Sequence, residues 1–154
     1  MVEIRKFEIE FVERTRELLL NYNGKYRFSN LINCTLGLII LPYENISSTD
    51  VWQKNVDEID SLPSFKLIKF KPIQRINKNK TIYYPNTLEI FLKKLRNGFA
   101  HQNIVPINSE GSFTSIKIFN KYGNEIDLDV IFTENQLKEF SLFISNLYLS
   151  ESSA

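Results

Sequence analysis

The chain of 154 residues is short of several residue types that would announce a class. It has one cysteine, one histidine, one methionine and one tryptophan. A lone Cys34 closes no internal disulfide and supplies no zinc framework, which points to a reducing compartment. Five glycines and five prolines are too few for a collagen-like or low-complexity chain. No apolar run is long enough for a bilayer, which needs about 20 residues. The most apolar stretch, LINCTLGLIIL (31–41), reads instead as a buried helix with Cys34 as a small core residue. The N-terminal MVEIRKFEIE lacks the apolar centre of a signal peptide. These absences predict a soluble, cytoplasmic protein with no membrane partner.

Acid is also missing from one long stretch: none occurs between Asp60 and Glu89. The net charge of +1 therefore hides an asymmetry. Residues 44–60 balance to −4, residues 61–96 to +8 and residues 97–154 to −4. The basic block contains Lys66, Lys69, Lys71, Arg75, Lys78, Lys80 and Lys93, interleaved with Phe65, Phe70, Tyr83 and Tyr84. Clustered lysines attract phosphate, and exposed aromatics stack on unpaired bases. Lys66, Lys69, Lys71, Arg75 and Lys93 are the candidate RNA contacts, while the aromatics are read as core.

Aromatics are abundant, with 12 Phe and 7 Tyr, and they can supply a sizeable core. Trp52 is read as one more packing residue. Residues 4–23 predict an amphipathic helix with Ile4, Phe7, Phe11, Leu18 and Tyr22 on one face, capped near Gly24. A second helix is expected over 29–41, ending before Pro42. Residues 42–84 read as a short helix near 49–59, followed by loop or short extended pieces. Asn86 and Glu89 have capping-box spacing, and Leu88, Phe91, Leu92, Leu95 and Phe99 form the stripe of the next helix. The alternation of Ile126, Leu128, Val130 and Phe132 predicts a strand, paired through the turn KYGN with FTSIKIFNK. Glu125, Asp127 and Asp129, three hard metal ligands by chemistry, are expected on its solvent face rather than around an ion. Thr133 and Gln136 cap a last helix running to about 149. One domain over 1–150 and a disordered tail at 151–154 complete the outline.

The stretch LRNGFAHQN (95–103) carries the only histidine, His101, five positions after Arg96. Five helical steps leave the two roughly 140° apart. They meet on one substrate if the helix ends or distorts near Gly98, or if a second copy completes the site. Arginine grips phosphate oxygens with two donors, and histidine takes or gives a proton near neutral pH. RNA supplies its own nucleophile, the 2′-hydroxyl, so a base and a cation suffice without metal. Two histidines from two copies can share the base and acid roles.

LRNGFAH resembles the signature of the HEPN superfamily: an arginine, a polar residue, a short gap, then histidine. The resemblance implies a small helical bundle, commonly dimeric, with Arg96 and His101 catalytic and Asn97 supporting them. The expected fold is thus mainly α, with a β-hairpin inserted between the motif helix and the last helix. The implied activity is metal-independent RNA cleavage to a 2′,3′-cyclic phosphate, without cofactor, in a homodimer that serves as a toxin or in defence against phage. Some toxin members carry a tyrosine two positions after the histidine as a modification target; Asn103 stands there in this chain, which argues against that kind of partner. The alternatives are a non-catalytic module holding nucleotide, RNA or protein, and a purely structural dimerisation domain.

Overall fold

The structure, a computed structural model, describes the backbone of residues 2–44, 50–77, 79–109 and 112–152. Side chains are described for residues 7–39, 51–74, 79–108 and 114–150. Among the described residues four α-helices, α1 (Val2–Asn21), α2 (Arg27–Glu44), α3 (Leu88–Ala100) and α4 (Glu134–Ser152), are combined with six strands. The strands are β1 (Lys66–Phe70), β2 (Ile73–Asn77), β3 (Lys80–Tyr83), β4 (Ile104–Ser109), β5 (Ser112–Tyr122) and β6 (Glu125–Thr133). The expected tail 151–154 lies partly outside the described residues, α4 reaching Ser152.

This is an α+β architecture, which corrects the expected mainly helical bundle. The hairpin of β5 and β6 does form, but it is the middle of a four-stranded antiparallel sheet ordered β1-β6-β5-β4. β2 and β3 make a separate antiparallel ribbon in the segment that reads as loop or short extended pieces. Two strands of the main sheet are weakly written. β1, KLIKF, has lysine at both inner and outer positions, and Leu67 and Ile68 stay exposed. β4 contains Pro106, which removes a ladder donor, yet β4 is an edge strand where proline is tolerated.

α3 packs on β5, and α4 packs on β5 and β6. α2 lies against α3 and α4, and α1 against α2 and α4. Between the sheet and the helices sits an aromatic cluster. Phe65 stacks on Phe91 with centroids 5.2 Å apart, Phe132 and Phe140 lie 5.4 Å apart, and Phe70 meets Phe91 edge-on at 5.3 Å. Reading Phe65 and Phe70 as core is thus right, and Trp52 is fully buried as well. Cys34 is buried on α2, where desolvation pushes its pKa up and keeps the thiol protonated.

Local signals succeed and fail for identifiable reasons. Thr133 and Gln136 form the reciprocal capping box: the Gln136 amide donates to Thr133 Oγ1 at 3.1 Å, and the Thr133 amide to Gln136 Oε1 at 3.0 Å. At α3 the cap moves by one residue. Thr87 accepts from the Ile90 amide, while Asn86 donates its side-chain amide to the Phe70 carbonyl. Gly123, with φ 62°, opens the two-residue β5–β6 turn in the left-handed region that glycine reaches without strain. Gly24 is not a left-handed cap, since α1 ends at Asn21 and Gly123 is the glycine with positive φ among the described residues. α2 continues through Pro42, which removes one amide donor without ending the backbone spiral. The short helix expected near 49–59 resolves into two 3-10 turns, Asp50–Gln53 and Val56–Glu58. On α1 the buried face is Val12, Thr15 and Leu19, so Phe7 and Leu18 of the expected stripe stand exposed.

Gly98 fixes the approach of α3 to the sheet. A Cβ built there would lie 2.6 Å from the Phe119 carbonyl oxygen, a backbone atom of β5 that cannot swing away. Gly98→Ala is expected to cost about 1–3 kcal/mol through overpacking. Urea denaturation measures it; a variant as stable as the parent would show that α3 is not pressed on β5 at this point.

Candidate functional site

The amphipathic stripe of α3 buries Leu88, Phe91, Leu92, Leu95 and Phe99, which turns the motif residues toward the rim of the core. The helix does not distort at Gly98. The His101 amide still donates to the Asn97 carbonyl at 3.0 Å, an ordinary helical bond. One residue later the helix closes. Gln102 takes φ 59°, its amide donates to the Phe99 carbonyl at 3.1 Å, and the Asn103 amide donates to Gly98 at 2.8 Å. This is a Schellman closure with His101 as the C-cap. The Phe119 amide then donates to the Asn103 carbonyl at 3.1 Å, tying the helix end to β5. Asn103 serves here through its backbone.

A regular helix keeps Arg96 and His101 roughly 140° apart, so a kink at Gly98 does not bring them together. Asn97 touches one and shares a cleft with the other. Its Oδ1 accepts from Arg96 Nη2 at 3.4 Å. Asn97 also stands one turn before His101 and lines the same cleft of about 270 Å³. His101 is exposed at the cleft mouth, and Arg96, half-buried, is not among the lining residues. A larger hollow of about 360 Å³ opens between α2 and α4 around Arg27 and Glu134, but it holds none of the motif residues.

The other candidates divide. Lys93 lines the cleft, donating to the Tyr84 hydroxyl at 2.8 Å and lying 4.5 Å from its ring centre. Lys66 is exposed at the start of β1 opposite Ile131, and Lys69 is 3.7 Å from Glu125. Lys71 sits 4.6 Å over the Tyr83 ring. The side chain of Arg75 lies outside the described residues, although its backbone pairs with Ile82 in β2–β3. The sequence reading therefore missed the part that Tyr84 plays in the cleft. The signal lay in spacing: Tyr84 comes just before the α3 cap, where a chain turning into the helix lies beside its first turns.

Behind the cleft lies a buried polar network, and here the expected solvent face of β6 is wrong. Asp127 is fully buried and Asp129 nearly so. Between Asn120↔Leu128 and Lys121↔Ile126 the β5–β6 register shifts, leaving Asp127 as the extra residue of a bulge. Bulges re-aim side chains. The Asp127 carboxylate accepts from Lys94 Nζ at 2.9 Å, Asn120 Nδ2 at 2.8 Å and the Ile73 amide at 2.9 Å. Lys94 also donates to the Ile73 carbonyl at 2.8 Å. Asp129 instead pairs with Lys117 at 3.3 Å. Both strand carboxylates are thus committed to ammonium groups of the chain itself.

A buried ion pair of this kind loses far more when one partner is removed than when both are replaced. Asp127→Ala should cost about 3–5 kcal/mol by stranding the Lys94 ammonium. The double variant Lys94→Met with Asp127→Leu should recover much of that. Denaturation midpoints of the three proteins decide it, and a loss below about 1 kcal/mol for Asp127→Ala would reduce the pair to an incidental contact.

The whole chain, residues 1–154, matches a family model described as HEPN pEK499 p136. No curated protein and no solved structure matches it. Among the described residues no helix is long and apolar enough to cross a membrane.

Proposed function

Because the chain belongs to the HEPN family described as pEK499 p136, we propose that it is a metal-independent endoribonuclease whose reacting groups are Arg96, Asn97 and His101. One observation supports this above the others: Asn97 holds the Arg96 guanidinium while lining the cleft that His101 borders. A small polar side chain thus touches the motif cation and shares a cleft with the exposed imidazole.

The chemistry follows from those groups. An imidazole removes the proton of a ribose 2′-hydroxyl, and the 2′-oxygen bonds to the adjacent phosphorus. The bond from phosphorus to the 5′-oxygen breaks, and that oxygen leaves with a proton from a second imidazole. The products are a 2′,3′-cyclic phosphate and a 5′-hydroxyl. Arg96 stabilises the charge gathered on the phosphoryl oxygens, where two guanidinium donors match two oxygens. A second copy of the chain completes the site. It supplies the second imidazole, and it lets one phosphate meet an arginine and a histidine that leave α3 on different sides. A homodimer is therefore part of the reading, as is a role as toxin or phage-defence effector, and the site calls on no cofactor.

A binding module is favoured by one fact, that Arg96 does not line the cleft itself. Cleavage of labelled RNA separates the two. His101→Ala should lower the rate about 10²–10⁴-fold, the usual contribution of a general base. It should leave the denaturation midpoint unchanged, because His101 is exposed. EDTA should leave cleavage intact. Wild type that binds RNA but never cuts it would establish the binding module, and cleavage abolished by EDTA would rule out the mechanism.

A further inference from the structure

The cleft beside His101 has more to it than the motif uses. Its walls come from four places: Ile73 and Gln74 at the start of β2, Tyr84 just after β3, Lys93 and Lys94 on α3, and Lys121 and Tyr122 at the end of β5. Three ammonium groups and one imidazole border it, and among the described residues no carboxylate lines it. The one acid that answers these cations, Asp127, is fully buried behind Lys94. Lys94 is thereby neutralised, whereas the described ion pairs place no carboxylate on Lys93 or Lys121. The open space is therefore biased toward an anion.

Two donors are aimed in advance. Lys93 donates to the Tyr84 hydroxyl oxygen at 2.8 Å and rests on its ring, so the long side chain is held rather than swinging in solvent. The Tyr84 hydroxyl, having accepted that bond, keeps its own proton to donate. Tyr84 is itself set by the ribbon, its amide donating to the Pro72 carbonyl at 2.9 Å. A volume of about 270 Å³ exceeds what a phosphate alone requires and suits a ribose-phosphate unit.

Resting on the nuclease reading above, we propose that this cleft is a second phosphate subsite. It holds the RNA phosphate next to the one cleaved, with Lys93 and the Tyr84 hydroxyl as its ligands and Lys121 at its rim. The partner chemistry is single-stranded RNA, because the subsite shares its wall with His101 and Asn97 and so continues the path of a strand crossing the motif. Tyr84 acts on the phosphate directly and also positions Lys93.

Binding measured without cleavage tests this. The His101→Ala protein is titrated with a fluorescein-labelled single-stranded RNA oligonucleotide at several salt concentrations. Each phosphate contact on a single strand contributes about 0.7 to the slope of log K against log salt. Adding Lys93→Gln should lower that slope by about 0.7, and adding Tyr84→Phe should weaken binding several-fold while the ring, and so the fold, is kept. Lys25→Gln, on the exposed α1–α2 connection, is the comparison for loss of a charge elsewhere. A slope that Lys93→Gln changes no more than Lys25→Gln does would overturn the subsite. So would a Tyr84→Phe protein that melts earlier but binds as before. Those results would leave the cleavage chemistry standing. Conversely, wild type that never cuts RNA, with the slope change present, would sink the nuclease and keep the subsite.

Discussion

The arrangement turns on a carboxylate that has been taken out of water. Asp127 is fully buried, and an ionised group in that position needs its oxygens satisfied from several directions. It collects Lys94 from α3, Asn120 from β5 and the Ile73 amide from β2. Three segments distant in sequence are thereby fixed on one side chain. The β2–β3 ribbon is outside the main sheet, so its position against α3 rests heavily on this point, together with the bonds from Lys94 Nζ to the Ile73 carbonyl and from Lys93 Nζ to the Tyr84 hydroxyl. The cleft exists because the ribbon, α3 and the end of β5 are held at that spacing.

Much of this was legible one element at a time. The α3 stripe, the Thr133–Gln136 box and the glycine turn of β5–β6 are local rules with local causes, and each appears in the structure where the pattern sets it. The fold class was not legible. β1 and β4 read as strands only once β6 and β5 are there to pair with, because one is rich in lysine and the other carries Pro106. Asp127 shows a subtler limit. Alternation along NEIDLDVIF assigns it to solvent, but one extra residue in β6 redirects it, and nothing in the period of two announces a bulge. On α1 the apolar positions outnumber the buried ones, so counting them selected a face that the neighbouring helices leave exposed.

The basic block looked uniform in sequence and is divided in space. Lys66 stands at the outer start of β1, Lys69 faces Glu125 and Lys71 covers Tyr83. Lys93 and Lys94 are consecutive yet opposite in character. One is aimed into the cleft by a tyrosine, and the other is consumed by the ion pair behind it. A helix separates neighbours by about 100°, so adjacent lysines report on different environments. Local charge density in the sequence therefore overstated the charge that any one ligand would meet.

The position of His101 follows from the same economy of space. An exposed imidazole at a helix end would ordinarily sit on backbone that frays. Here the last turn is closed by two bonds onto Phe99 and Gly98, and Asn103 is bound in turn by the Phe119 amide of β5. Gly98 serves both arrangements: its carbonyl accepts the closing bond, and its missing side chain admits the β5 backbone. The backbone under the histidine is thus anchored to the sheet while the ring stays open to solvent. Such a residue can meet a substrate in a defined place, and its removal takes away little packing. Those are the two properties that the proposed proton-transfer role would demand of it.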